Sequence, residues 1–185
     1  MEESKLLAFE YIISKLIEWY KSLKNEEPSI ICSNFSKLKI FKLHFFVSAV
    51  NSQKISETQK PNDLLTVFDR FYALPYGPVE GQIYDNINDL KMYSIYNDHI
   101  SINENLNSSE YFRILDSGIR TQIDDAIKEL KNTNNELVTY PAFDLVEISH
   151  KWPVWKLLYA YALRNGRRNE FMPSELIRAS SQFYS

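Results

Sequence analysis

FDRFYALPYGPVEGQIY, residues 68–84, sets a Tyr-Gly-Pro-Val knot between an aromatic approach and an amphipathic run. Here the sequence constrains its own backbone. Gly77 has no Cβ, so it escapes the extended bias that a following proline imposes, and it is an acceptable helix N-cap. Pro78 then falls at the first helical position, where a missing N–H costs nothing and a fixed φ suits the helix. Val79, Ile83, Ile87 and Leu90 follow at spacings of four, four and three, which predicts one apolar helical face. Phe68, Phe71, Tyr72 and Tyr76 are thereby delivered against the start of a buried helix.

Upstream, Leu6, Phe9, Ile13, Leu16, Tyr20 and Leu23 alternate steps of three and four, which predicts a helix from residue 3 to about residue 24. Pro28 breaks the chain over residues 25–35, and Asn34 or Ser36 caps a second helix running to about residue 52. Ile40, Leu43, Val47 and Val50 form one apolar row on it and Leu38, Phe41 and Phe45 another. It is the expected central helix. Residues 52–63 are polar, contain Pro61 and read as a loop, and residues 64–68 read as a short strand because of Thr66 and Val67.

Downstream, residues 93–96 and 99–102 alternate on either side of Asn97-Asp98, which predicts a β-hairpin whose two turn residues accept positive φ. Asn107 with Glu110 predicts a short capped helix, and Asp116 or Ser117 opens a longer one carrying Ile119, Ile123, Ala126, Ile127 and Leu130. The run of residues 132–135 ends it. Pro141 opens a helix through Ser149 and His150, Trp152-Pro153 interrupts it, and the helical period resumes from Val154 to Asn165 until Gly166 stops it. Pro173 begins a last short helix to Phe183. The expected fold class is mostly α (α+β): a compact helical domain, 1–185, with a small antiparallel β element.

At 185 residues one domain can bury roughly 70% of its unfolded surface. Aromatic residues make up 14% and glycines number only 4, so an ordered domain is expected. The single Cys32 cannot form an intrachain disulfide, and Glu2, Glu3 and Lys5 precede an amphipathic stretch, not a secretory leader, so a cytoplasmic location follows. No apolar run approaches the roughly 18 residues of a membrane span. A net charge of −3 and a pI near 5.7 argue against wholesale nucleic-acid binding.

Three segments carry a resemblance. YALPYGPVEGQIY resembles the signature of the Panacea domain, the SocA-like or GepA-like antitoxin family of bacteria and phages, in which an aromatic approach to Tyr-Gly-Pro-Val is followed by a Tyr on the next helix. Residues 39–46, KIFKLHFF, are similar to the family's Lys-Leu-x-Lys-Leu-Leu-Tyr-Phe helix, with His44 and Phe45 as departures. Residues 145–150, LVEISH, with Trp152 and Trp155 after them, resemble its Leu-Ser-x-Leu-Ser-His segment and trailing Trp. The three arrive in family order over about two thirds of the chain. The resemblance implies a folded, non-enzymatic antitoxin that neutralises a cognate toxin encoded beside it, by direct contact or as an adaptor to a housekeeping protease. It marks Lys42, Phe71, Tyr76, Gly77, Pro78, Val79, Tyr84, Ser149, His150 and Trp155 as motif and partner-binding candidates. No fused DNA-binding segment is expected, and fold alone does not name the partner.

The residues offer little catalytic chemistry. Three histidines and one cysteine in no ligand spacing predict no metal site, and four scattered glycines make no phosphate loop, so no cofactor is expected. Ser149 and His150 are adjacent on a helix, about 100° apart, and cannot face each other as a catalytic pair. His150 reads instead as a polar residue covering carbonyls near a helix C-terminus. Lys151, Lys156, Arg164, Arg167 and Arg168 give residues 151–169 five cations and no acid. That strip reads first as a solvated helix end, and otherwise as a footprint for nucleic acid or an acidic partner. The alternative function is a phage- or mobile-element-associated enzyme or nucleic-acid factor using His150 and this basic third. Of the aromatics Tyr72, Tyr76, Tyr84, Trp152, Trp155 and Tyr159, core is the default, and a subset lines a groove.

Overall fold

The computed structural model describes residues 2–52 and 63–185; most of the predicted loop at 52–63 lies outside them. Nine α-helices are present among the described residues, with a three-stranded and a two-stranded antiparallel sheet. The mostly α reading holds. Helix α1, Glu2–Leu23, buries Phe9, Ile12, Ile13, Leu16, Trp19 and Tyr20 as its period requires. Helix α2, Pro28–Ser33, occupies the stretch expected to be a break: Pro28 starts a turn as readily as it stops one, and Ile31 buries to hold it. Helix α3, Lys37–Ala49, is capped by the Ser36 hydroxyl, which accepts from Lys39 N–H. Every residue from Lys39 to Ala49 is buried, so α3 is the axis of the core.

The segment that opened the reading folds differently from expectation. Strand β1, Phe71–Leu74, and strand β2, Gly77–Glu80, form a hairpin across Pro75-Tyr76, with Phe71 opposite Glu80 and Leu74 opposite Gly77. Gly77 is therefore no N-cap and Pro78 no first helical residue. Helix α4, Gly81–Asp85, starts later because the Glu80 carboxylate accepts from Ile83 N–H at 2.7 Å, from Arg70 N–H at 3.2 Å and from Lys5 Nζ at 3.0 Å. Those three donors make a buried carboxylate cap tolerable. Val79, Ile83 and Ile87 are all buried, but on a strand, a helix and a 3₁₀ turn in succession.

Residues 64–68 form no strand. Leu64–Thr66 is a 3₁₀ turn in which Asp63 accepts from Leu65 N–H, and Arg178 fixes the same carboxylate through two 2.9 Å bonds. Strands β3, Tyr93–Ile95, and β4, Ile100–Ile102, pair in the predicted hairpin. Its turn has no positive φ; Tyr96 N–H donates to the His99 carbonyl at 2.8 Å and the two rings stack, which closes it with Asn97 and Asp98 at negative φ.

Helices α5, Ser108–Tyr111, and α6, Ser117–Thr133, carry the Asn107 and Asp116 caps that their sequence demands. Helices α7, Ala142–Lys151, and α8, Pro153–Arg164, meet at Trp152. A strand the sequence did not announce, β5, Glu170–Phe171, pairs with β1 and completes the order β2-β1-β5. Helix α9, Ser174–Ala179, stops short of Phe183 because the tail turns extended at Ser180, whose hydroxyl accepts from Val154 N–H, while the Phe183 carbonyl takes the Trp152 indole. Trp152 also packs edge-on against Phe45 at 4.7 Å, tying this end to α3. Each such fully buried ring is worth about 1.5–3 kcal/mol relative to exposure.

Candidate functional site

The hairpin β1–β2 is clamped from two sides. From α3, Lys42 reaches it with a side chain of zero exposure and donates to the Pro78 carbonyl at 2.6 Å. Among the described residues no carboxylate pairs with Lys42, and burial holds its amine well below the usual lysine value. From α7, Ser149 is equally buried and donates to the Val146 carbonyl within its own helix. Gly77 lies between them. Its φ is +90°, and a Cβ there would stand 2.2 Å from Ser149 Oγ and 3.0 Å from Lys42 Nζ. Only glycine meets both requirements, so the glycine serves close approach and left-handed backbone, not the cap that its position before proline suggested.

On the second side, the Trp155 indole of α8 donates to the Leu74 carbonyl at 3.0 Å. His150 lies flat on that indole, ring centroids 3.8 Å apart at 11°, and Tyr159 stacks on Trp155 at 5.1 Å. Burial lowers the His150 pKa, and the Lys42 charge adds to that effect, while Glu147, 3.9 Å away, and the Pro75 carbonyl oppose it. Ser149 directs its hydroxyl into α7 and His150 gives its ring to the stack. The two do not assemble into a nucleophile and base, as their adjacency on one helix required.

Beyond the clamp the hairpin is wet. Tyr76 at its tip is 59% exposed and meets Phe143 of α7, 65% exposed, edge to face at 6.4 Å. Tyr84 is 47% exposed and lies under Lys37 Nζ, 4.2 Å from its ring centre. Between them runs a groove of about 320 Å³, lined by Phe41, Leu74, Pro75 and Val79 along with Lys37 and the two tyrosines. Of the positions marked by the motifs, Lys42, Phe71, Gly77, Pro78, Val79, Ser149 and Trp155 are buried scaffold, and His150 is half-buried. Tyr76 and Tyr84 remain on the surface.

Sequence reasoning missed Phe143 and Lys37. Phe143 had a readable signal: two positions before Leu145 puts it about 160° from the stripe that buries Leu145, Ile148 and Ser149. An apolar ring on a polar face is the kind of residue that asks for a partner. Lys37 had none, since only the fold brings it over Tyr84. Among the described residues no three or more His, Cys, Asp or Glu side chains gather as a metal site, and no helix is long and apolar enough to cross a membrane.

Fold and site together define a mostly α domain organised around a clamped Tyr-Gly-Pro hairpin. A family model described as antitoxin SocA-like, Panacea domain, matches residues 40–156, more than half of the 185, and the chain belongs to that family. All ten marked positions, from Lys42 to Trp155, fall inside the matched span. No curated protein and no solved structure is significantly similar to the chain.

Proposed function

We propose that this protein is an antitoxin that neutralises a cognate toxin, encoded beside it, by direct protein–protein contact through the surface around the hairpin tip. Membership of an antitoxin-like family supplies the class. The observation that carries the surface is the pair Tyr76 and Phe143, two large rings held in solvent, one on a hairpin tip whose base is fixed by Lys42, Gly77 and Trp155 and the other on α7 against it. Ordering a flexible aromatic on binding costs entropy, and a tip anchored in advance avoids most of it. Tyr and Trp anchors on rigid supports are where interface energy concentrates. The chain acts in the cytoplasm as a binder, without cofactor or metal. Presentation of the toxin to a housekeeping protease is compatible with the same surface.

Co-expression with the product of the adjacent gene tests this directly. Growth rescue and a co-purifying complex are expected, and Tyr76→Ala with Phe143→Ala is expected to lose both while the melting temperature holds. A harmless neighbour, together with no partner recovered on the purified protein from the native cell, sinks the antitoxin reading.

A further inference from the structure

Helix α8 presents a second surface that the hairpin does not involve. Val154, Trp155 and Ala162 fix its inner side in the core. Its outer side carries Leu157, 66% exposed, and Tyr161, 53% exposed, with Ala160 between them. Leu157, Ala160, Tyr161 and Arg164 follow the i, i+3, i+4, i+7 spacing by which one helix receives another, and the small Ala160 lets a partner backbone come close. At 1.5 Å per residue the twelve residues offer a ridge of about 18 Å.

The charge on this ridge is only partly answered within the molecule, where Arg167 also lies over the Tyr161 ring at 5.4 Å. Lys151 donates to the Ser185 carbonyl and Arg167 pairs with Glu170 at 2.6 Å, but among the described residues Lys156, Arg164 and Arg168 have no carboxylate partner. The helix dipole favours Arg164, in the last turn, and Arg168, just beyond it. It disfavours Lys156, which stands in the first turn, where no acidic residue is present. In a chain of net charge −3 this is a local cationic surface awaiting an anion.

We infer that the outer face of α8 is a docking surface for an acidic amphipathic helix of the partner protein, with Leu157 and Tyr161 taking its apolar residues and Lys156 and Arg164 its carboxylates. The inference rests on the reading that the chain works by binding a protein. The interleaving of residues selects this occupant. At 100° per residue, Lys156 falls between Leu163 and Ala160, and Arg164 between Ala160 and Leu157. A bilayer would have to bury those cations, since they sit within the apolar arc and not at its edges. A nucleic acid would leave Leu157 and Leu163 without use, and it meets an acidic molecule. Leu157, Tyr161 and Arg164 also lie beyond the span matched by the family model, as suits a surface particular to one partner.

The test is the affinity of Lys156→Glu/Arg164→Glu for the product of the adjacent gene, measured at low and moderate salt beside the wild type and beside Tyr76→Ala. Both substituted side chains are exposed, so a melting temperature equal to wild type is expected. The charge swap should weaken binding at least about tenfold, with a flattened salt dependence, because charges at an interface act on encounter and register. Binding equal to wild type overturns the inference and leaves the antitoxin reading intact. So does wild-type retardation of a 30-base-pair duplex, or capture by phosphatidylserine vesicles, that the swap abolishes, because a polyanion would then own the strip. Wild type without affinity for the neighbouring product sinks both.

Discussion

Gly77 and Ser149 pack so closely that a Cβ on the glycine would lie 2.2 Å from the serine Oγ, in a backbone whose φ of +90° already disfavours any side chain. Two penalties therefore fall on Gly77→Val: left-handed strain and overlap with a buried hydroxyl. Their sum is about 3–5 kcal/mol, a drop in melting temperature of roughly 6–20 °C at this chain length. Ser149→Gly in the same chain should recover the steric part only, because φ is unchanged, and the two substitutions should be visibly non-additive. A Gly77→Val protein that melts with wild type would remove this contact from the account of the hairpin.

Lys42→Met separates the amine from the volume it fills. Among the described residues the buried Nζ has one hydrogen bond, to Pro78, and no carboxylate partner, so its desolvation is poorly compensated. Methionine leaves the Pro78 carbonyl unpaired but removes the charge, and a change within about 1.5 kcal/mol of wild type is expected, whereas Lys42→Ala opens a cavity and costs about 2–4 kcal/mol. The pH dependence gives the sign. The folded amine titrates well below 10.5, so between its depressed value and 10.5 the unfolded chain binds more protons and stability rises with pH. Lys39, held at about 8 by burial, contributes in the same direction, so the readout is the difference between wild-type and Lys42→Met slopes in denaturant titrations from pH 7 to 10. Parallel slopes would show that Lys42 is not the titrating group.

His44 makes the protein acid-sensitive. It is fully buried among Phe9, Phe68 and Phe71, neither ring nitrogen has a partner among the described residues, and burial with the nearby Lys5 charge lowers its pKa to about 3. Between about 3 and 6.5 the unfolded chain binds the extra proton, so stability present above pH 6.5 is lost as pH falls through that window. The full loss is on the order of 5 kcal/mol. His44→Leu should melt near wild type at pH 7 and markedly above it at pH 4. Identical pH profiles for the two proteins would refute the burial argument.

What the sequence made legible was local. The stripe of α1, the Ser36, Asn107 and Asp116 caps and the break at Trp152-Pro153 each depend on residues within one or two turns, and each formed where expected. The strand β2 was misread because the groups that decide it are remote: Glu80 is freed to cap α4 by Lys5, and Pro78 keeps a useful carbonyl because Lys42 answers it. Two-residue β5 is set by pairing with β1 and has no pattern of its own. At the site, resemblance marked the scaffold around Gly77 and the exposed Tyr76 and Tyr84 but not Phe143 or Lys37, since exposure of Phe143 and the approach of Lys37 to Tyr84 are properties of the packed chain.

Glu10 holds the β3–β4 hairpin to α1 from within. Its Oε1 accepts from the backbone N–H groups of Lys91, Met92 and Tyr93, and its Oε2 from the Tyr111 hydroxyl, at 1% exposure. Glu10→Gln removes the charge that assists these bonds and reverses the Tyr111 bond, whose hydroxyl must then accept, so it should cost about 1–3 kcal/mol. Hydrogen exchange should speed first at Met92 and Tyr93. Stability unchanged within error would mean that water replaces the carboxylate.

Trp155 and Tyr76 should fail in different ways, although both are aromatic and both belong to the hairpin. Trp155 is buried, and Trp155→Phe loses the bond to the Leu74 carbonyl and half of the stack on His150, so about 1–3 kcal/mol of stability should go. With the fold restored by cooling, its binding should return, because its role is to hold the tip in place. Tyr76→Ala removes a side chain that is mostly in solvent, so stability should move by less than about 0.5 kcal/mol while toxin binding falls at every temperature. The pair is best read as affinity against temperature for the two variants and the wild type. If Tyr76→Ala binds as wild type does, the contact does not include the hairpin tip, and if Trp155→Phe stays weak at low temperature, Trp155 touches the partner in a conformation more open than this one.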